Sequence, residues 1–108
     1  MARGLNRGEV WLCTFPPPNK RRPVVIIGRQ ALLGLLNTVT VVPITSTIRQ
    51  APTEVVLGIE DGLKGPCCAN LTHIVTLPKT RLAQYVGTVR RDKLDEVCTA
   101  LAIAVGCD

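Results

Sequence analysis

Lys20-Arg21-Arg22-Pro23-Val24-Val25-Ile26-Ile27 sets three cations against a proline and follows them with four β-branched apolar residues. The residue before a proline is pushed out of the helical region into extended backbone. Proline itself is tolerated at the first position of a strand, where its missing donor does least harm. The stretch therefore predicts a strand that opens at Pro23, runs to Ile27 or Gly28, and is buried on both faces. Arg22 is held extended at its mouth, where a planar guanidinium on a stiff element suits a phosphate. A solvated basic loop leading into a core strand accounts for the same residues.

On the N-terminal side, Gly8 precedes Glu9 to Phe15, a run rich in strand formers that reads as the first strand. Pro16-Pro17-Pro18-Asn19 then stops pairing and makes a stiff loop close to polyproline II. On the C-terminal side, Gln30 to Leu36 fits either a helical turn or a hairpin excursion. Thr38 to Val42 predicts a third strand, with Pro43 at its frayed end or a bulge. The hydroxyl run Thr45-Ser46-Thr47 follows, then a loop with Arg49 and Pro52, and a fourth strand over Glu54 to Leu57. Asp61-Gly62 and Lys64-Gly65-Pro66 are turns. Cys67 to Val75 predicts a fifth strand broken near His73, Pro78 to Leu82 one helical turn, and Gln84 to Val89 a last strand. Asp92 to Val105 predicts a helix with Asp92 as N-cap, Asp95 at the third position and Gly106 ending it. Leu94, Val97, Cys98, Leu101 and Val105 form its apolar stripe. The pattern is mainly β with a C-terminal helix, a small barrel-like sheet in a single domain over residues 1–108.

Composition narrows the partners. Hydrophobic residues make up 46% and charged residues 19% of the 108 residues, which excludes a disordered chain. Aromatics are only 3%, so the core is aliphatic and few rings are available for base stacking. A net charge of +5 favours an anionic partner. Five cysteines, an odd count without C-x-x-C spacing, argue against disulfides and zinc. They read as small buried hydrophobes in a reducing compartment. With no apolar N-terminal region and no run near the ~20 residues that span a bilayer, a cytoplasmic protein without a membrane is expected.

If the second and third strands pair as hairpin neighbours, the start of one lies beside the end of the other. Arg22 and Thr45 then converge at one rim, with Ser46 and Thr47 close by. From spacing alone, loop hydroxyls bonding their own backbone are the better account of Thr45 to Thr47, because such short polar runs are common. His73, between Thr72 and Ile74, reads as a structural imidazole, and scattered carboxylates speak against a metal-dependent nuclease. No phosphate or dinucleotide fingerprint is present, so no cofactor and no metal are expected.

Arg7-Gly8-Glu9-Val10-Trp11, Arg22-Pro23-Val24-Val25-Ile26 and Val42-Pro43-Ile44-Thr45 resemble the MazF/PemK toxin family. Thr76-Leu77-Pro78-Lys79-Thr80-Arg81-Leu82, Val86-Gly87-Thr88-Val89 and the closing helix match in the same order, so the resemblance spans roughly residues 7–106. It implies an SH3-like small β-barrel of the CcdB/PemK kind, acting as a homodimer. It also implies a sequence-selective, metal-independent endoribonuclease toxin that cleaves single-stranded RNA (messenger, transfer or ribosomal) and a cognate antitoxin that blocks its groove. By position it assigns catalysis to Arg22 and Thr45. The loop from Phe15 to Arg21 is short, rigid and basic where many family members carry a longer one with Gly and Ser. Lys20 and Arg21 are expected on backbone phosphates, with Asn19, Ser46 and Thr47 as further RNA contacts. Attack by the 2′-hydroxyl would leave a 2′,3′-cyclic phosphate and a 5′-hydroxyl. The acceptor of the 2′ proton stays unassigned, since arginine is effectively always protonated and a threonine hydroxyl is a poor base. A gyrase poison of the CcdB kind is the alternative on the same fold, and a plain SH3-like binding module a third.

Overall fold

A computed structural model describes residues 4–17 and 20–108. Seven strands form one antiparallel system: β1 (Glu9–Thr14), β2 (Arg21–Ile26), β3 (Thr38–Thr45), β4 (Glu54–Leu57), β5 (Cys67–Asn70), β6 (Val75–Pro78) and β7 (Leu82–Thr88). A four-residue helix, α1 (Gln30–Leu33), connects β2 to β3, and α2 (Arg91–Val105) closes the chain. The order is β4-β5-β3-β2-β1-β7, with β6 on the free half of β3.

The apolar run after Pro23 is buried on both faces, as its composition requires. Val25 and Ile27 join Val42, Ile44, Val55 and Leu71 in a core roofed by Leu94, Val97 and Ala100 of α2. Val24 and Ile26 face the other way, into a smaller core with Cys13, Leu33, Val39 and Val41. One strand thus welds two cores together.

β2 starts at Arg21, two residues earlier than the proline suggests, because β1 reaches far enough to pair with it: Cys13 stands opposite Arg22 and Thr14 opposite Arg21. β3 likewise continues through Pro43 to Thr45. Ile27 N–H donates to Thr40 O at 3.0 Å, so the even-numbered residues of β3 turn their main-chain groups towards β2. Pro43 turns its missing donor the other way. There β6 has ended opposite Val41 and β5 begins opposite Ile44, so no ladder bond is lost.

The expected fifth strand is two strands, β5 and β6, separated by a 3-10 turn at Leu71–His73. The helical turn expected near Pro78 is a second such turn at Lys79–Arg81. α2 is capped at Arg90 without a side-chain bond, which puts Asp92 inside the first turn, 3.2 Å from the Arg90 guanidinium. Its buried stripe is Leu94, Val97 and Ala100, backed by Leu101 and Ala104; Cys98 and Val105 are exposed.

The mainly β, SH3-like class expected from the sequence is the class observed, with the ring closed by packing. Among the described residues no ladder joins β4 to β7. Instead the loop after β4 presses on β7, where a Cβ at Gly87 would stand 2.8 Å from Asp61 O and 3.1 Å from Gly62 Cα. Backbone touches backbone there, so neither side has a flexible end to move. Gly87→Ala is expected to cost about 1–3 kcal/mol. A urea midpoint equal to that of the parent would show that these two ends do not bear on each other.

Candidate active site

Antiparallel pairing of β2 with β3 sets Val24 opposite Pro43, Val25 opposite Val42 and Ile26 opposite Val41. The same register carried outward puts Arg22 opposite Thr45, on one face of the pair. The convergence inferred from hairpin adjacency is therefore present.

Pro23 explains how the guanidinium is held. In this register Pro23 is the residue whose amide would donate to Ile44 O, and proline has none. Arg22 Nη2 takes that carbonyl instead, at 3.3 Å. The side chain is half-buried and tethered one residue from Thr45, with its remaining donors unspent on Ile44.

Thr45 satisfies both readings of its hydroxyl. Its Oγ1 accepts the Thr47 N–H at 3.2 Å, the local backbone bond expected of a loop hydroxyl. That bond fixes the rotamer and leaves the O–H proton to donate outward. Arg22, Thr45 and Thr47 then line one cleft of about 260 Å³ together with Pro43, Arg49, Glu54, Asn70 and His73. This is room for several water molecules.

Each polar neighbour is positioned by an identifiable contact. Glu54 accepts the N–H groups of Arg49 at 3.0 Å and Ala51 at 3.2 Å through Oε1, and Arg49 again at 3.2 Å through Oε2, which shapes the loop after Thr47. Asn70 Oδ1 accepts from Thr72 N, Thr72 Oγ1 and Thr53 Oγ1 at 3.1, 2.8 and 2.9 Å. What Asn70 has left to offer the cleft is its amide donors. Behind this wall, Cys68 Sγ lies 3.3 Å from Thr47 O. Burial, and after it the nearby Glu54 carboxylate, push the Cys68 thiol above its ordinary value. It is a protonated packing residue, as are Cys13 and Cys67, whose thiols burial also raises. Cys98 and Cys107 are exposed, against the expectation that all five cysteines are buried.

Thr45 also borders a second depression, of about 760 Å³, which it shares with Ser46, Pro23, Lys64, Pro66 and Tyr85. The hydroxyl run therefore splits, with Ser46 on the larger trough and Thr47 on the cationic cleft. Lys20 and Arg21 are exposed and line neither. Arg21 precedes Arg22 on the same strand and so leaves by the opposite face. Lys20 holds the loop shut: its carbonyl accepts Phe15 N–H at 2.8 Å with its own backbone at φ 52°. Asn19 lies outside the described residues.

Sequence reasoning missed Asn70 and Glu54 and misjudged His73, which is exposed in the cleft. The signal was the Asn70-Leu71-Thr72 triplet, legible as a capped turn. No group of three or more potential metal ligands occurs among the described residues, and no helix is long and apolar enough to cross a membrane.

Comparison with known proteins gives the family to which this small barrel and its cleft belong. A family profile of PemK-like, MazF-like toxins of type II toxin–antitoxin systems matches residues 6–105, and this chain belongs to that family. It is 35% identical over 102 residues to a probable endoribonuclease MazF5 of Mycobacterium tuberculosis, covering 94% of this chain and 93% of the relative. Among solved structures, it superposes with a TM-score of 0.86 and 33% identity on an endoribonuclease in complex with its cognate antitoxin from a mycobacterial species, covering 96% and 97% of the two chains. The Mycobacterium tuberculosis toxin MazF-mt6 gives 0.85 at 28% identity, covering 93% of this chain and 98% of that one.

Proposed function

We propose that this chain is the endoribonuclease toxin of a type II pair and cleaves single-stranded RNA at the Arg22–Thr45 cleft without a metal. The observation that carries this reading is the shared cleft itself, in which a permanent cation and an oriented alcohol face the same small volume. In the reaction the substrate's 2′-oxygen attacks the adjacent phosphorus and the bond to the 5′-oxygen breaks. Charge grows on the non-bridging oxygens. The fork of Arg22 neutralises it and the Thr45 hydroxyl donates to it, both already fixed before substrate arrives. Because the nucleophile is the 2′-hydroxyl, DNA is not a substrate.

A similar structure solved as an endoribonuclease in complex with its cognate antitoxin supports a cognate antitoxin as the partner of this chain. The same reading takes the toxin as a cytoplasmic homodimer whose groove the antitoxin covers. A gyrase poison needs no Arg–Thr pair, and the family relationship does not favour it. The test is incubation of purified protein with mixed-sequence RNA in EDTA. Fragments ending in 2′,3′-cyclic phosphate are expected, and none from RNA carrying 2′-deoxy residues throughout. Intact RNA would overturn the reading.

Lys20 and Arg21 lie outside the cleft, and we assign them to backbone phosphates of the same strand. Removing either cation should reduce the slope of log affinity against log salt by about 0.7. Binding titrations of Lys20→Ala and Arg21→Ala across salt concentrations read this directly, with cleavage motif unchanged. An unaltered slope would remove both residues from the RNA path.

A further inference from the structure

We infer that His73 is the general base that takes the 2′ proton. This rests on the ribonuclease reading above and supplies the acceptor which that reading lacks. The other cleft residues are poor candidates: an arginine is always protonated, a threonine hydroxyl hardly basic, and an asparagine amide does not titrate. Glu54 accepts the amides of Arg49 and Ala51 but keeps lone pairs free, so it is the one rival acceptor in the cleft.

His73 differs from them. It ends the 3-10 turn Leu71–His73, which is fastened at three points. Leu71 is 1% exposed and plugs the main core, while Asn70 caps the turn through Thr72 N. Leu71 N–H also donates to Thr53 O at 2.9 Å. The imidazole is therefore presented to solvent from a rigid base, the arrangement a catalytic group needs. No described residue hydrogen-bonds to the ring, and it lines the same cleft as Arg22 and Thr45. The charged groups facing it there are Arg22 from β2, Arg49 from the loop after Thr47, and Glu54 from β4.

In the step, the lone pair of the neutral imidazole accepts the 2′ proton as the O2′–P bond forms. The P–O5′ bond then breaks, and the departing oxygen takes a proton from water. Only the neutral imidazole can accept the proton, so the rate should climb with pH along an acid limb.

Single-turnover cleavage against pH, at saturating enzyme in EDTA, tests this. His73→Gln is expected to lower the rate by about 10²-fold or more, to abolish the acid limb and to leave RNA affinity unchanged. His73→Ala should regain rate on addition of free imidazole. A His73→Gln rate and pH profile equal to the parent's would overturn the proposal, as would a fall in affinity that accounts for the whole loss. A limb that survives His73→Gln and vanishes in Glu54→Gln would give the proton to the carboxylate and equally overturn it. In all three of those outcomes the parent still cleaves RNA. Absence of cleavage by the parent at every pH is the separate outcome that sinks the ribonuclease reading.

Discussion

Arg22→Ala is expected to lower the RNA cleavage rate by about 10²–10³-fold, the usual consequence of removing one preorganised donor. The loss falls on the chemical step more than on binding, because phosphate charge peaks in the transition state. Arg22→Lys should recover little of it. A lysine carries the charge but presents a point, without the fork that lets Arg22 hold Ile44 O and a phosphate oxygen at once. The fold should survive, since the side chain is only half-buried and water at the rim can serve the vacated Ile44 carbonyl. Single-turnover rates in EDTA, set beside thermal melting of the same samples, separate the two effects. Parental rates in Arg22→Ala would remove Arg22 from the chemistry.

Ile26→Ala carries the largest expected change in stability. Ile26 is fully buried in the smaller core, against Val24, Leu33, Val39 and Val41. Its strand lies between β1 and β3, so neither can close in without disturbing a second ladder. The cavity should stay largely open, and a cost of about 2–5 kcal/mol follows. That is a large share of the roughly 5–15 kcal/mol that typically holds such a domain together. Ile26→Val should cost only about 0.5–1.5 kcal/mol. Urea unfolding of the three proteins checks the series, and equal midpoints would mean that the smaller core contributes nothing.

Local chemistry made some of this legible and hid the rest. Four consecutive β-branched residues after Pro23 announce a strand buried on both faces, and both cores confirm it. Hairpin adjacency was enough to bring Arg22 and Thr45 to one rim. Strand ends were less visible, because they depend on partners far along the chain. Pro43 reads as a terminus until β5 and β6 are seen to meet there, and Arg21 reads as loop until β1 is seen to reach it. The cap of α2 was misplaced for a different reason. Asp92 has the chemistry of an N-cap, but the helix starts earlier, at Arg91, and the carboxylate turns to Arg90. His73 was misjudged because isolation in a sequence says nothing about exposure. Only the capped turn after Asn70 brings it out to the cleft.

Pro43 also protects the chemistry from misalignment. Were β3 to slide by one residue along β2, every side chain would change face. Thr45 would then leave the cleft, and the unbondable nitrogen would be forced against β2 in place of the gap it now occupies. A slipped molecule would lose both a ladder bond and its alcohol. The imino acid thus ties correct threading of the sheet to the presence of an intact Arg22–Thr45 rim.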